Sequence, residues 1–392
     1  MTSILITGGA GFIGSNFIKY LLQNSDFSSK LQIINVDNLT YAGNLNNLKE
    51  VENHKNYHFI KGDINDKTLI YSIFTKYRIK KVINFAAESH VDRAIIVPNI
   101  FVKTNVLGTT NLLICAKEYW EKESNTSNNF HTIDNLTSNN DNSNNDIINN
   151  DIINNDNITS NNPTSNNLTS KANTSKNNTR NNNNPFEDKL FIQISTDEVY
   201  GSLPENEPDK FFTELSQLEP HSPYSASKAG ADLLVKSFYD TYKFPAIITR
   251  CSNNYGPYQF PEKLIPLIIK NALSDKSIPV YGDGNNIRDW IYVEDHCAAI
   301  ANILLAGKVG EIYNIGASCE KKNIEVVKTI LDILEKPYNL IEYVTDRLGH
   351  DRRYAVDAGK IRQELGWQPK QNFEENIAKT INWYINNPEH FG

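Results

Sequence analysis

The chain has 392 residues, with 39 lysines and arginines against 46 aspartates and glutamates, so its formal net charge is −7. This length is enough for one large domain or two modest ones, each with an apolar core. The mild acidity argues against a surface for nucleic acid or anionic membrane. No apolar run approaches the roughly 20 residues of a membrane span, and Met1 leads into a strand-like run rather than a signal peptide. The four cysteines lack metal-site spacing. These features predict a cytoplasmic protein with no metal site, no nucleic-acid partner and no membrane contact.

Short β-rich runs alternate with helical patterns through the first 250 residues. The runs lie at 4–6, 31–36, 82–85, 190–194 and 246–248. Continuous apolar strands separated by helices are typical of a parallel sheet that is covered on both faces. The pattern therefore predicts a Rossmann-type, doubly wound α/β fold. We expect residues 1–250 to form this domain and residues 251–392 to form mainly a smaller C-terminal substrate-binding lobe, with some segments returning to the first domain.

A biased segment interrupts the first domain at about residues 124–186. Asn, Ser, Thr and Asp dominate it, and it accounts for most of the low hydrophobic fraction of the chain, 39%. Such a segment buries too little apolar area to offset the entropy lost on ordering. We predict a disordered insert in a surface loop, with the fold resuming at the strand-like run 190–194.

A glycine-rich loop follows the first strand and opens a helix. Gly8, Gly11 and Gly14 have the spacing GxxGxxG and enclose Phe12 and Ile13. Such a loop gives a tight turn, close backbone approach to a pyrophosphate and a helix N-terminus directed at the phosphate charge. The strand-before, helix-after context favours a dinucleotide site over a turn that merely packs the helix on the strand.

Two acidic residues follow later strands of the same unit. Asp37 ends the second strand, where a carboxylate accepts hydrogen bonds from a ribose 2′-hydroxyl and repels a 2′-phosphate, which favours NAD over NADP. Asp63 follows the third strand-like run and is placed to receive an adenine amino group. The alternative for Asp63 is a helix N-cap.

Tyr224 and Lys228 lie four residues apart and hence on one face of a helix. A free tyrosine titrates near a pKa of about 10, so it is a poor base at neutral pH. A nearby ammonium and the positive nicotinamide ring both favour the phenolate. The pair therefore predicts a tyrosine that removes a hydroxyl proton while a hydride leaves the same carbon for NAD.

The polar residues Thr196, Asp197 and Glu198 end another strand. They emerge at the carboxyl edge of the sheet, where α/β folds bind ligands. Adjacent Asp and Glu offer two titratable groups able to divide acid and base roles. The alternative is a helix-capping Asp beside a solvated Glu.

Together these motifs resemble the extended short-chain dehydrogenase/reductase superfamily, and within it the dTDP-glucose 4,6-dehydratases. The resemblance covers essentially the whole chain except the Asn-rich insert, which replaces a short connection. Sugar 4-epimerases of the superfamily typically have small residues where this chain has Asp197 and Glu198. The resemblance is carried by GGAGFIGSN (8–16), DNLTYAGN (37–44), AAESHVDR (86–93), TNVLGT (104–109), ISTDEVYG (194–201), PYSASKAG (223–230), CSNNYGPYQFPEKLIP (251–266), YGDGNNIRDWIYVEDH (281–296) and DRLGHDRRY (346–354).

The resemblance implies a role for each catalytic candidate. Tyr224 takes the proton of the sugar O4 as C4 is oxidised, Lys228 holds the ribose and tunes the phenol, and Thr196 bonds the O4 region. Glu198 removes the C5 proton while Asp197 protonates the departing C6 hydroxyl. The product is a 4-keto-6-deoxy sugar nucleotide, and NAD is regenerated in each turnover.

The resemblance also implies two sets of binding residues. Arg288 suits a diphosphate, since guanidinium binds phosphate bidentately, and its alternative is a salt bridge with Asp289 or Glu294. NAD is expected to contact Gly8, Gly11, Phe12, Ile13, Gly14, Asp37, Asn38, Leu39, Thr40, Gly43, Asp63, Ile64, Phe85, Ala86, Ala87, Thr104, Tyr224, Lys228 and Asn253. The nucleotide sugar is expected to contact Ser89, Thr196, Asp197, Glu198, Asn253, Lys263, Leu264, Arg288, Asn323, Arg347, His350 and Tyr354.

Several functions stay open at this point. The resemblance favours dTDP-glucose as substrate, with UDP-glucose as the closest alternative. A nucleotide-sugar 4-epimerase needs only the Tyr–Lys pair, and a non-catalytic NAD-binding protein needs neither acid nor base. The resemblance also implies a homodimer, formed through helices near residues 100–120 and 224–240, and a place in rhamnose-type deoxysugar supply.

Overall fold

The structure is a computed structural model that describes residues 1–137, 184–370 and 372–391. Its strands are β1 (Thr2–Thr7), β2 (Leu31–Asp37), β3 (Tyr57–Lys61), β4 (Lys81–Asn84), β5 (Leu190–Thr196), β6 (Ala246–Cys251), β7 (Asn253–Tyr255), β8 (Ile278–Tyr281), β9 (Ile287–Tyr292), β10 (Ile312–Ile315), β11 (Glu320–Lys322) and β12 (Ile341–Val344). Its α-helices are α1 (Phe12–Gln23), α2 (Ser25–Ser28), α3 (Lys67–Tyr77), α4 (Val91–Ile96), α5 (Pro98–Phe101), α6 (Thr109–Thr137), α7 (Pro223–Tyr242), α8 (Leu264–Leu273), α9 (Val293–Ala306), α10 (Asn323–Ile333), α11 (Gly359–Leu365) and α12 (Phe373–Asn386). A π-helical segment, Val102–Gly108, joins α5 to α6, and a 3₁₀ turn, Asp197–Tyr200, follows β5.

A seven-stranded parallel sheet forms the centre of the molecule. Its strand order is β10-β6-β5-β4-β1-β2-β3, and each neighbouring pair is parallel. The order reverses between β1 and β4, which creates the crevice at the carboxyl ends of the strands where such folds bind ligands. The predicted Rossmann-type, doubly wound fold is confirmed.

Helices bury both faces of this sheet. On one face α1, α9 and α11 supply apolar side chains such as Phe17 and Ile300 to a continuous core. On the other face α3, α6 and α7 supply side chains such as Phe74, Trp120 and Val235. Because both faces are covered, the strands carry nearly unbroken apolar runs, as the sequence pattern indicated.

A smaller lobe is built around the C-terminal segments. A three-stranded sheet, β11-β9-β7, and a two-stranded sheet, β12-β8, lie beside the helices α8, α10 and α12. Tyr255, Trp290 and Tyr384 are among the large side chains buried in its core. The lobe also returns a strand to the first domain, since β10 forms an edge of the seven-stranded sheet.

The boundaries of the Asn-rich insert differ from the predicted ones at both ends. Helix α6 continues past Ser124 to Thr137, so the first residues of the expected loop are helical. At the other end the Phe186 side chain is buried and contacts the ring of Phe244. Helix propensity alone favoured an end of the helix at residue 124. The N-terminal half of helix α6 is packed in the fold, and the helix continues from it beyond that residue. The predicted disorder of residues 138–183 lies outside the described residues.

Within the described ranges no helix combines the length and the apolar character needed to cross a membrane. Cys115, Cys251, Cys297 and Cys319 are all free thiols. In the same part of the chain no three His, Cys, Asp or Glu side chains are grouped as metal ligands.

Candidate active site

The glycine loop between β1 and α1 is shaped for close backbone approach. Gly8 has φ +69°, and a Cβ there would lie 2.6 Å from the backbone nitrogen of Ala86. A Cβ on Gly14 would lie 2.4 Å from the Gly8 carbonyl oxygen. Gly11 is the N-cap of α1, and because glycine has no side chain to cap the helix, the first N–H groups stay open to a ligand. The loop therefore presents amide donors and a positive helix end to one crevice.

Asp37 closes this crevice at the end of β2. Its Oδ2 accepts a hydrogen bond of 2.9 Å from the Ala10 N–H, and its Oδ1 accepts one of 2.8 Å from the Leu39 N–H. Burial raises the pKa of the Asp37 carboxyl, and these two hydrogen bonds act in the opposite direction. Each oxygen keeps a lone pair for a hydroxyl donor, as expected of a ribose partner.

Asp63 lies in the same cleft and is not a helix N-cap. The N-cap of α3 is Asp66, which accepts from the Leu69 N–H. The Asp63 Oδ1 instead accepts hydrogen bonds from the backbone and side-chain nitrogens of Asn65, each at 2.9 Å. This arrangement leaves Oδ2 available to a ligand in the cleft.

The helix α7 places Tyr224 and Lys228 one turn apart in the cleft. Ser222 and Ser225 form a capping box that fixes the start of the helix. Lys228 is buried, and its Nζ donates a hydrogen bond of 2.6 Å to the Ile194 carbonyl of β5. Burial lowers the pKa of Lys228, and the nearby Asp232 opposes that shift.

Tyr224 is a buried phenol with acidic neighbours. Burial raises its pKa well above the ordinary value, and the nearby Glu198 raises it further, while the Thr196 side chain lowers it. The expected help from Lys228 and from the positive nicotinamide ring must therefore offset both burial and the charge of Glu198. A further positive charge beside the phenol is required, and the nicotinamide ring of the expected cofactor supplies one.

The residues after β5 form an acidic end to the cleft. The 3₁₀ turn is capped by Thr196, whose side chain accepts from the Glu198 N–H at 3.3 Å. Asp197 is 1% exposed, and its Oδ2 has no hydrogen-bond partner within the described structure. The alternative of a capping Asp beside a solvated Glu is therefore not what the fold contains, because Thr196 is the cap and both acids line the cleft.

Burial controls the electrostatics of the two acids. It raises the pKa of Asp197 well above its ordinary value, and the neighbouring Glu198 and Asp289 add to this shift. Burial also raises the pKa of Glu198, whereas Arg288 and Lys263 lower it. Cations oppose the rise in pKa more at Glu198 than at Asp197. Asp197 therefore suits the role of acid, and Glu198 suits the role of base.

Most of the predicted site residues share one cleft between the two lobes. The cleft is lined by Gly8, Gly11, Phe12, Ile13, Gly14, Asp37, Asn38, Thr40, Gly43, Asp63, Ile64, Phe85, Ala86, Ala87, Ser89, Thr104, Thr196, Asp197, Glu198, Tyr224, Lys228, Asn253 and Lys263. The expected contacts Leu39, Leu264, Arg288, Asn323, Arg347, His350 and Tyr354 do not belong to this lining. Leu39 contributes its backbone N–H to Asp37 instead.

Arg288 and Tyr354 form a stacked pair in the small lobe. The Arg288 guanidinium carbon lies 4.3 Å from the centre of the Tyr354 ring. The terminal guanidinium nitrogens donate hydrogen bonds to the carbonyls of Ile287, Asp351 and Arg352. Arg288 makes no ion pair with Asp289 or Glu294 in the described structure. Both members of the pair lie close to Glu198, since Arg288 lowers the pKa of Glu198 and Glu198 raises that of Tyr354.

The loop after β12 carries two further expected contacts, Arg347 and His350. Arg347 pairs with Asp92 of α4 at 3.1 Å, which links this loop to the first domain. His350 Nδ1 lies 2.6 Å from an Asp346 oxygen. Asn323 begins α10, and its buried Oδ1 has no partner within the described residues.

Several lining residues were not singled out in the sequence. They are Val36, Tyr41, Ala42, Gly62, Glu88, Ile194, Ser195, Cys251, Ser252, Asn254, Gln259, Phe260 and Glu262. All of them lie within or beside the motifs and residues quoted above. The topology of the sheet shows that they belong to the site. Strands β4, β5 and β6 end at the same edge of the sheet, so the residues that follow each strand lie around one crevice.

The family model described as "NAD dependent epimerase/dehydratase family" matches residues 4–316. The chain belongs to this family. The match spans the glycine loop, the acidic turn and the Tyr–Lys pair, so the whole described cleft of the seven-stranded sheet lies inside it.

Individual relatives within the NAD dependent epimerase/dehydratase family cover nearly the full chain. A dTDP-glucose 4,6-dehydratase of Escherichia coli is 45% identical over 405 residues, 98% of this chain and 94% of that protein. The crystal structure of the Bacillus anthracis dTDP-glucose 4,6-dehydratase in complex with NAD is similar at 42% identity and a TM-score of 0.76, covering 99% and 98% of the two chains. That of the Streptomyces venezuelae enzyme, with NAD bound, is similar at 37% identity and a TM-score of 0.78, over the same shares. The resemblance drawn from the motifs is confirmed.

Proposed function

We propose that this chain is a dTDP-glucose 4,6-dehydratase that uses bound NAD. The observation that carries the proposal is the placing of Tyr224, Asp197 and Glu198 around one cleft. Oxidation of the sugar at C4 needs a base at O4, and the loss of water across C5–C6 that follows needs a base at C5 and an acid at O6. These three side chains supply that set.

The cleft fits NAD on its own geometry. The glycine loop would hold the pyrophosphate, since Cβ atoms at Gly8 and Gly14 would meet backbone within 2.6 Å and 2.4 Å. Asp37 would bind the ribose hydroxyls and exclude a 2′-phosphate. When bound, NAD accepts hydride from the sugar C4 and later supplies it to C6.

Tyr224 and Lys228 carry out the first proton transfer. The Tyr224 phenolate takes the O4 proton, and the Lys228 ammonium stabilises that phenolate from one helical turn away. One donor of Lys228 is fixed on the Ile194 carbonyl at 2.6 Å. Its other two donors remain for the ribose and the phenol.

Glu198 and Asp197 carry out the elimination. Glu198 takes the proton from C5, which the 4-keto group has made acidic. Asp197 gives its proton to the C6 hydroxyl, which leaves as water. Asp197 suits the acid role because burial and the like charges beside it raise its pKa and keep it protonated. Glu198 then returns its proton to C5 when C6 is reduced.

Cations at the small lobe would hold the nucleotide diphosphate. Arg288 is buried against Tyr354, and Lys263 donates to the Ser89 carbonyl at 2.8 Å. A dianionic diphosphate would offset the cost of burying these charges. Asn323 and Asn253 each have a buried side-chain oxygen that has no hydrogen-bond partner among residues 1–137, 184–370 and 372–391, as expected of residues that a ligand completes.

A 4-epimerase is the second candidate, and the acidic turn argues against it. Epimerisation needs no acid–base pair beyond Tyr224 and Lys228. Burying Asp197 beside Glu198 without use would cost stability, since like charges in a low-dielectric site repel. UDP-glucose differs from dTDP-glucose only at the nucleoside, and no contact in the described cleft separates the two.

The proposal includes a homodimer, in which two copies of this chain associate. Helices α4, α5 and α7 and the π-helical segment lie against one another and expose a group of apolar side chains. This group consists of Ile95, Ile96, Val97, Val102, Leu107 and Leu233. Exposed apolar side chains carried by helices that pack on one another support a second copy of this chain as the partner, since monomers rarely expose large apolar patches.

The remaining expectations concern the setting of the enzyme. A 4-keto-6-deoxy sugar nucleotide is the branch point for rhamnose-type deoxysugars, which makes such supply the expected role. The four cysteines are free thiols, which supports a reducing cytoplasm.

Mass spectrometry of the product tests the proposal. Purified protein is incubated separately with dTDP-glucose and UDP-glucose. The expected product weighs one water less than its substrate, with the higher kcat/KM for dTDP-glucose. Glu198→Gln should bind NAD normally and form no dehydrated product. A product of unchanged mass would favour the epimerase, and a Glu198→Gln variant with full activity would reject the assigned base.

A further inference from the structure

After each turnover of the proposed reaction, two side chains are left in a different protonation state from the one in which they began. Tyr224 gains the O4 proton, and Asp197 loses a proton to the departing water. Glu198 gains the C5 proton and then returns it. The substrate differs from the product by one water and by no net proton. One proton must therefore pass from Tyr224 to Asp197 before the next turnover.

Thr196 lies between these two groups. Its Oγ1 donates a hydrogen bond of 3.3 Å to the Asp197 Oδ1. The same side chain interacts with the Tyr224 phenol and lowers its pKa. Thr196, Asp197 and Tyr224 are each less than 10% exposed, at 8%, 1% and 8%. The three side chains are therefore largely shielded from bulk water.

The Thr196 hydroxyl has the donor and the acceptors that are needed to pass a proton in one direction, from Tyr224 to Asp197. A hydroxyl has one proton to donate and two lone pairs that accept. One lone pair accepts from the Glu198 N–H at 3.3 Å, and the proton is directed to Asp197. The lone pair that remains is available to accept the proton of Tyr224. The Glu198 N–H thereby fixes the hydroxyl in the orientation that the transfer needs.

The surroundings of Asp197 favour the direction of transfer. Once it has lost its proton, Asp197 is a buried carboxylate next to Glu198 and Asp289, and these like charges disfavour its ionised form. Its Oδ2 also has no partner in the described structure to stabilise a negative charge. Regaining a proton removes that unfavourable charge.

We propose that the Thr196 hydroxyl returns the proton from Tyr224 to Asp197 and so resets the site, an inference that rests on the proposed function. The O–H bond of Tyr224 breaks as its proton passes to Thr196 Oγ1. The original Thr196 proton passes to Asp197 Oδ1 in the same event. Tyr224 becomes a phenolate, Asp197 becomes a carboxylic acid, and Thr196 is unchanged.

Rapid-quench kinetics with excess dTDP-glucose test this proposal on the wild type, Thr196→Val and Thr196→Ser. Thr196→Val loses the hydroxyl and keeps the shape. Its first turnover should slow, because the bond to O4 is lost. Its later turnovers should slow at least about 100-fold more, as expected when a positioned proton-transfer group is removed. The trace should show a burst of about one product per site. Thr196→Ser should show the wild-type ratio of first to later turnovers.

Buffer dependence provides the second readout. If the reset of Thr196→Val runs through solvent, added imidazole should raise its slow phase and leave the wild type unchanged. Equal slowing of all turnovers, or a slow phase that ignores imidazole, would overturn the relay and leave Thr196 as a contact to O4. A wild-type protein that forms no dehydrated product would instead reject the proposed function.

Discussion

The Asp232 carboxylate and the Arg250 guanidinium form a buried ion pair with an N–O distance of 2.9 Å. Asp232 lies on α7, one helical turn beyond Lys228. The Asp232 and Arg250 side chains are 1% and 4% exposed. The Arg250 guanidinium also lies over the ring of Tyr200, 4.8 Å from its centre. Two buried cations, Lys228 and Arg250, thus share one carboxylate, and both lower the pKa of Asp232 against the effect of its burial.

Removing Asp232 should strongly destabilise the protein. Asp232→Ala leaves the buried Arg250 guanidinium without its carboxylate, and breaking a buried pair typically costs about 3–5 kcal/mol. The control is Asp240→Ala in the exposed Lys236–Asp240 pair of the same helix, whose side chains are 57% and 54% exposed. That change should cost under about 1 kcal/mol. Chemical denaturation of both variants checks the difference, and equal costs would contradict the account.

The glycine loop should not tolerate a methyl group at Gly14. Gly14→Ala places a Cβ 2.4 Å from the Gly8 carbonyl, which must shift and distort the pyrophosphate cradle. We expect NAD to bind at least about tenfold more weakly, a change of about 1.4 kcal/mol. The matched control is Gly230→Ala, where the nearest atom would be a Val106 methyl at an ordinary 3.5 Å. Calorimetric titration with NAD measures both, and unaltered affinity in Gly14→Ala would refute the cradle.

The pH dependence of kcat should respond to Lys263. The positive charge of Lys263 lowers the pKa of Glu198, so Lys263→Met should raise that pKa. Because Glu198 acts as a base and must be ionised, the acidic limb of the kcat profile should move to higher pH. An exposed lysine, Lys276, provides the control, and Lys276→Met should leave the limb in place. A limb that stays or moves to lower pH in Lys263→Met would contradict the assigned base.

The exposed apolar group on helices α4, α5 and α7 and the π-helical segment should hold the dimer together. Leu233 of α7 is 57% exposed, and Leu233→Asp would bury a charge in the proposed interface. We expect this variant to sediment as a monomer while the wild type sediments as a dimer. Leu215, a loop residue that is 95% exposed, serves as the control, and Leu215→Asp should remain dimeric. A wild-type monomer would reject the interface.

The parts of the site that follow local rules could be predicted from the sequence. The spacing of Gly8, Gly11 and Gly14 predicts a strand–turn–helix. The spacing of Tyr224 and Lys228 predicts that both lie on one face of a helix. Asp197 and Glu198 follow a strand that is recognisable from its apolar run. Each of these predictions needs only short-range geometry and the rule that parallel strands end at one edge.

The parts that depend on long-range packing could not be predicted. The Asp232–Arg250 pair joins residues 18 positions apart in sequence through tertiary structure. The Arg347–Asp92 bridge joins the two lobes, and no local pattern marks either residue as a partner. The continuation of α6 to Thr137 also escaped prediction, because Asn, Ser and Thr are weak helix formers and composition favoured a loop.

The most direct test of the central claim follows one hydrogen atom through the reaction. dTDP-glucose carrying deuterium at C4 is incubated with the purified protein, and the product is examined by NMR. We expect a 4-keto-6-deoxy sugar with the deuterium at C6, because the hydride removed from C4 returns to the carbon that has lost its hydroxyl. Deuterium retained at C4, with the C6 hydroxyl intact, would contradict it.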